Sequence, residues 1–158
     1  MDFTHIDESG RSKMVDVSGK NITARFAKAS GKVYVSENTF KLIKENKIIK
    51  GNVIETARIA GIMAAKKTSE LIPMCHPLNI ENLTINITLD EVNLSVYIEA
   101  SATITGKTGV EMEALTAVSV AALTVYDMCK SSDKNMVIGD IMLLEKTGGK
   151  SGQFSRDK

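Results

Sequence analysis

The stretch Leu83-Thr84-Ile85-Asn86-Ile87-Thr88-Leu89-Asp90 alternates apolar with polar side chains. After Glu91-Val92-Asn93 the alternation resumes in Leu94-Ser95-Val96-Tyr97-Ile98-Glu99-Ala100-Ser101-Ala102-Thr103-Ile104-Thr105. Successive strand residues point to opposite faces, so two such runs about a short turn predict a β-hairpin with one buried face. That face takes Leu83, Ile85, Ile87 and Leu89 from one run and Leu94, Val96, Ile98, Ala100, Ala102 and Ile104 from the other. The opposite face carries Asn, Thr, Ser, Tyr and Glu, suited to solvent or to a polar subunit contact.

Downstream, Gly106-Lys107-Thr108-Gly109 breaks the pattern and an Ala-rich run from Val110 to Lys130 predicts a long helix. A polar loop, Ser131 to Asn135, leads to a last strand over Val137 to Glu145. Upstream, Ile22 to Val35 reads as extended, and Ser36 followed by Glu37 is an N-cap signal for a helix reaching toward Lys50-Gly51. A second helix is expected from about Asn52 to Glu70, where Ala57, Ala60, Gly61, Ala64 and Ala65 permit close packing. Pro73 and Pro77 stiffen the loop holding Met74, Cys75 and His76. The resulting order, βαββαβ, is that of an α+β, ferredoxin-like sandwich: one antiparallel sheet with helices on one face. Residues 1–158 are read as one domain, with residues 1–20 and 147–158 expected to be mobile.

At 158 residues, 43% hydrophobic and 25% charged, the composition predicts a folded core rather than disorder. Aromatics make up only 4%, with no Trp, so aliphatic side chains must fill that core. A net charge of +1 supplies no field for nucleic acid, and Tyr97 is the single aromatic on the hairpin against the two or three that RNA-binding sheets use for stacking. No secretory signal and no membrane-spanning run is read, so neither nucleic acid nor membrane is an expected partner and the cytoplasm is the expected location. Cys75 and Cys129, far apart and outside any CxxC, fit free thiols.

Chemistry could reside in several places. Asp127 and Lys130 sit three residues apart on a helix, as either a surface ion pair or an acid/base pair in a cleft. A polar stripe, Glu113, Thr116, Ser119, Thr124, Asp127 and Lys130, lies between apolar positions, which predicts that it is enclosed. His76 is either a ligand-binding imidazole or a loop histidine bonded to backbone. Lys50-Gly51, Gly106-Lys107-Thr108-Gly109 and Gly148-Gly149-Lys150-Ser151-Gly152 offer lysines and bare backbone to phosphate. Neither Gly-Lys-Thr nor Gly-Lys-Ser is a Walker A loop, because Ser101 and Leu144 stand where its first Gly belongs. No Cys/His spacing suits zinc. These features leave open an enzyme or a nucleotide-binding regulatory module without chemistry.

The literal strings narrow the choice. Met14-Val15-Asp16-Val17-Ser18, Thr56-Ala57-Arg58-Ile59-Ala60-Gly61-Ile62, Leu71-Ile72-Pro73-Met74-Cys75-His76-Pro77-Leu78 and Gly106-Lys107-Thr108-Gly109-Val110-Glu111-Met112-Glu113 occur in this order. They are followed by Thr124-Val125-Tyr126-Asp127-Met128-Cys129-Lys130 and Lys146-Thr147-Gly148-Gly149-Lys150. Together these resemble the cyclic pyranopterin monophosphate synthase family, also called molybdenum cofactor biosynthesis protein C, over nearly the whole chain. The resemblance implies a lyase that converts 3',8-cyclo-7,8-dihydro-GTP into cyclic pyranopterin monophosphate and releases pyrophosphate.

It further implies a ferredoxin-like fold and a homohexamer, a trimer of dimers, with the active site at a subunit interface. The implied catalytic residues are Asp127 and Lys130. The implied substrate-binding residues are Lys50, Met74, Cys75, His76, Met112, Glu113 and Lys146, with Arg25 as a further phosphate contact; Lys150 is a further lysine that could join Lys50 and Lys146 in neutralising the triphosphate. Met74 stands where other members carry Leu, a volume-conserving difference. No metal site and no required cofactor are expected; Mg²⁺ would enter only with the triphosphate.

Overall fold

Twelve residues, Thr23–Tyr34, form β1, and their alternation puts Ala27, Ala29, Gly31 and Val33 on one face, all buried. These small side chains let a helix lie directly on the strand: a Cβ at Gly31 would stand 2.7 Å from Val118 Cγ1. The structure, a computed structural model, describes residues 6–150 and 152–157; the expectations that touch residues 1–5, 151 and 158 lie outside them.

The chain continues with α1 (Glu37–Lys44), α2 (Val53–Ala65), the single turn α3 (Thr68–Leu71), β2 (Asn82–Asp90), β3 (Ser95–Gly106), α4 (Glu111–Cys129), β4 (Val137–Thr147) and β5 (Phe154–Ser155). The sheet order is β2-β3-β1-β4-β5, with every neighbouring pair antiparallel. Its first four strands have the ferredoxin-like order expected, and α2 and α4 cover one face. The hairpin pairs Ile85 with Ala100 and Ile87 with Ile98, so the predicted inward residues meet across the strands and are buried. By length and composition α4 meets the test for a membrane-crossing helix, which no run was expected to do. Its apolar residues Ala114, Ala117, Val118, Ala121, Ala122 and Val125 are fully buried and form the centre of this core.

Several boundaries differ from expectation. The first helix begins as expected, with the Ser36 Oγ accepting from Thr39 N–H, but stops at Lys44 instead of near Lys50. Asn46 adopts a left-handed φ of 53°, its N–H bonds Ile43 O, and the Lys47 N–H bonds Leu42 O. This is a Schellman stop, with Asn serving in place of Gly. The second helix, capped by Asn52, breaks after Ala65 and resumes for one turn as α3. The last strand runs two residues further than expected, so Lys146 belongs to β4 rather than to a tail. Beyond it, Phe154 and Ser155 return to pair with Lys146 and Glu145 as a short edge strand.

Candidate active site

The implied site residues gather at the two ends of α4. At its start, Arg25 and Lys146 both point to the helix-covered side of the sheet: Arg25 follows the alternation of Ala27 and Ala29, and Lys146 pairs opposite Ala27. Arg25 is only 8% exposed, and its Nε donates to Gly106 O at 3.3 Å. Lys107 Nζ donates to the Ser18 carbonyl at 2.7 Å, which ties the N-terminal arm to the loop before α4. Lys146 Nζ stands 2.8 Å from Glu111 Oε1. With Lys20 and Lys150 these side chains line a cavity of about 210 Å³. Gly148 and Gly149 pass over Arg25 with φ of 92° and 78°. A Cβ on Gly148 would lie 2.2 Å from the Ala24 carbonyl oxygen, so only bare backbone can cross there.

A second cavity, about 180 Å³, adjoins the first and shares Thr108, Gly109 and Glu111 with it. Met74, Cys75, His76, Met112 and Glu113 line it, so five of the implied substrate-binding residues meet here. The stiff loop after α3 brings three of them, and the first turn of α4 brings the other two. Glu113 is only 3% exposed. Burial pushes its carboxyl up to about 7; its own backbone N–H opposes this and the Glu111 charge adds to it. Burial, then the charge of Glu113, raises the Cys75 thiol. Burial and Asp133 push the Cys129 thiol up to about 11. Both cysteines are free, and neither is held as a reactive thiolate.

At the other end of α4, Asp127 Oδ1 lies 2.7 Å from Lys130 Nζ and its Oδ2 lies 2.9 Å from Lys50 Nζ. Lys50 also donates to the Asp127 carbonyl at 2.8 Å. The hydrogen bonds from Lys130 and then Lys50 hold the carboxyl down at about 2, and Asp127 in turn raises Lys130. The expected pair is therefore formed, with Lys50 as a third member. The expected enclosure is not found within one chain: the Asp127 and Lys130 side chains are 56% and 54% exposed. Along the polar stripe, Glu113 and Thr116 are buried, while Asp127 and Lys130 are exposed even though Val125, Met128 and Cys129 beside them stay buried.

Lys50 and Lys146 thus do not share a pocket. Glu113 and Asp127 are separated by about 21 Å of helix at the α-helical rise. Sequence reasoning left Lys20 and Glu111 out of the site, offered Lys107 only as a lysine within reach of phosphate, and gave Arg25 only a minor place. The period-two alternation of β1 marks Arg25 as inward-facing. Nothing local marks Lys20, which the fold of the arm brings in. Among the described residues, no group of three or more His, Cys, Asp and Glu side chains is arranged to hold a metal ion. The chemistry on offer is a hydrogen-bonding pocket beside a cationic one, and a carboxylate clamped by two ammonium groups.

The sequence is similar to proteins named cyclic pyranopterin monophosphate synthase. That of Heliobacterium modesticaldum is 58% identical over 156 residues, covering 99% of this chain and 98% of its own. That of Desulforapulum autotrophicum is 57% identical, covering 99% and 96%, and that of Staphylococcus aureus is 55% identical, covering 98% and 96%. Among solved structures, a de novo designed protein with a ferredoxin fold aligns over 75% of this chain and 83% of its own, at 14% identity and a TM-score of 0.40. The fold assignment rests on strand order, not on that alignment. The family model described as MoaC matches residues 14–149, which include the Asp127 cluster and every lining residue of both candidate pockets except Lys150, and the chain belongs to the MoaC family.

Proposed function

We propose that this protein is a cyclic pyranopterin monophosphate synthase. It takes 3',8-cyclo-7,8-dihydro-GTP, rearranges the purine-derived part into a pyranopterin, closes a cyclic phosphate and releases pyrophosphate, as a step of molybdenum cofactor biosynthesis. The observation that carries this reading is the pair of adjoining cavities at the start of α4. A triphosphate fits the cavity lined by Lys20, Arg25, Lys107, Lys146 and Lys150, and a ring with donors and acceptors fits the one lined by His76 and Glu113. Glu113, balanced between its two protonation states near neutral pH, can present a donor or an acceptor to that ring.

The remaining chemistry comes from a second copy of the chain. Asp127, Lys130 and Lys50 are too far from the cavities of their own chain, so the complete site lies between subunits, in a homohexamer built as a trimer of dimers. A two-fold axis through the middle of α4, near Val120, would bring Asp127 and Lys130 of one copy against Met112 and Glu113 of the other. Ile59, Met63 and Leu123, each more than half exposed in the single chain, supply apolar area on the helical layer for this contact. Burial there would pull the Lys130 ammonium down from its raised value toward the range in which it exchanges protons with substrate, with Asp127 holding it in place. We place the enzyme in the cytoplasm, in keeping with its two free cysteines.

The test is to supply the cyclised dihydro-GTP intermediate to the purified protein. One pyrophosphate should appear per substrate, together with a pterin that fluoresces after oxidation. Binding of the intermediate without pyrophosphate release would replace the enzyme with a binding module.

A further inference from the structure

Among the described residues, Glu111 is the one carboxylate at ion-pair distance from a cation of the basic cavity. Its side chain and that of Lys146 are only 25% and 24% exposed, so water and salt screen this pair less than a surface one. The carboxylate has a prepared seat: it lies against Gly109, where a Cβ would come within 1.8 Å of Glu111 Oε2. It also occupies the first turn of α4, whose capping position, Val110, offers no side-chain acceptor. A negative group is favoured there by the helix dipole. Glu111 therefore holds the kind of position a phosphate oxygen would take, between the two cavities and on one of the cations that would receive it.

We propose that the Glu111 carboxylate is a built-in competitor for the phosphate pocket, and that it sets how much charge a ligand must bring to displace it from Lys146. This rests on the reading that the cavity receives the triphosphate of the substrate. A ligand with one phosphate gains Lys146 only by leaving Glu111 unpaired beside it. A pyrophosphate or triphosphate also reaches Lys20, Arg25, Lys107 and Lys150 and offsets that loss. Once the phosphate bond to the substrate has broken, the return of Glu111 to Lys146 helps to expel pyrophosphate.

The experiment compares binding of inorganic phosphate and inorganic pyrophosphate to the wild-type protein, Glu111→Gln and Glu111→Asp by titration calorimetry at fixed ionic strength. Glu111→Gln should bind both ions more tightly and should favour phosphate disproportionately, shrinking the pyrophosphate-to-phosphate affinity ratio roughly three- to tenfold. Pyrophosphate should become a stronger product inhibitor of this variant, with KM and kcat both reduced. Glu111→Asp keeps the charge but withdraws it from Lys146, and should fall between the two. Unchanged or weaker binding of both ions by Glu111→Gln, at an unchanged ratio, would make Glu111 a scaffold and overturn the proposal. So would a larger change in Glu111→Asp than in Glu111→Gln. A wild-type protein and variants that all bind neither ion would overturn the phosphate assignment of the cavity, and this proposal with it.

Discussion

Glu113 is a carboxyl group enclosed at the base of a pocket, and its environment has a consequence for stability. The folded state keeps its proton until about pH 7, whereas an unfolded chain loses it near the ordinary glutamate value of 4.5. Between those values the native state binds more protons than the unfolded state, so stability falls as pH rises through the window. It is fully present below about 4.5 and reaches its lower plateau above about 7. Glu113→Gln imitates the protonated form and should remove this dependence. Urea melts at matched protein concentration should coincide for the two proteins at pH 4.5, with the variant more stable by up to about 3 kcal/mol at pH 8. Parallel pH profiles would show that Glu113 is solvated in the assembled protein. The sequence marks Glu113 through the string that carries it, but its enclosure depends on the Met74-Cys75-His76 loop, which arrives from a remote part of the chain.

Among the elements, the close packing expected from the small residues of α2 is made against α4 and is sensitive to mutation. Of the five small residues picked out in the sequence, Ala57, Gly61, Ala64 and Ala65 are buried and Ala60 is half-buried. A Cβ at Gly61 would stand 2.6 Å from Ile85 Cδ1 and 2.9 Å from the Ala117 carbonyl. Alanine favours a helix over glycine by about 1 kcal/mol, yet here it would force two helices and a strand apart. Gly61→Ala should therefore destabilise by about 1–3 kcal/mol, measured by chemical denaturation. A stabilised variant would show that the layers separate freely. Helix ends were harder to read. The pattern of Phe40, Leu42, Ile43 and Lys47 continues past the Asn46 stop because Ile48 is buried too, and periodicity cannot distinguish a helical turn from a loop that folds back on the core.

For the whole molecule, the decisive fact is that the implied site residues divide between opposite ends of one helix. Asp127→Asn removes the clamp at one end, and His76→Ala alters the pocket at the other. Each alone should lose activity while still folding, because the ion pairs of Asp127 are exposed and His76 lies in a loop. If each site takes one half from each of two copies, a mixed dimer of the two variants contains one intact site. Co-refolded equal mixtures should then recover about a quarter of wild-type turnover, since half the dimers are mixed. Recovery no greater than the sum of the parents would place each site within a single chain. The sequence by itself determined the sheet, its buried face and the order of the elements, because period-two and helical patterning are local consequences of backbone geometry. Its literal strings also singled out the residues around which both clusters form. Tertiary structure alone decided the grouping: Arg25, Lys107, Lys146 and Glu111 meet because β1, β3 and β4 end beside the start of α4, while Lys50 is drawn to Asp127. Such neighbourhoods depend on how distant segments pack, and no local pattern encodes the distance between them.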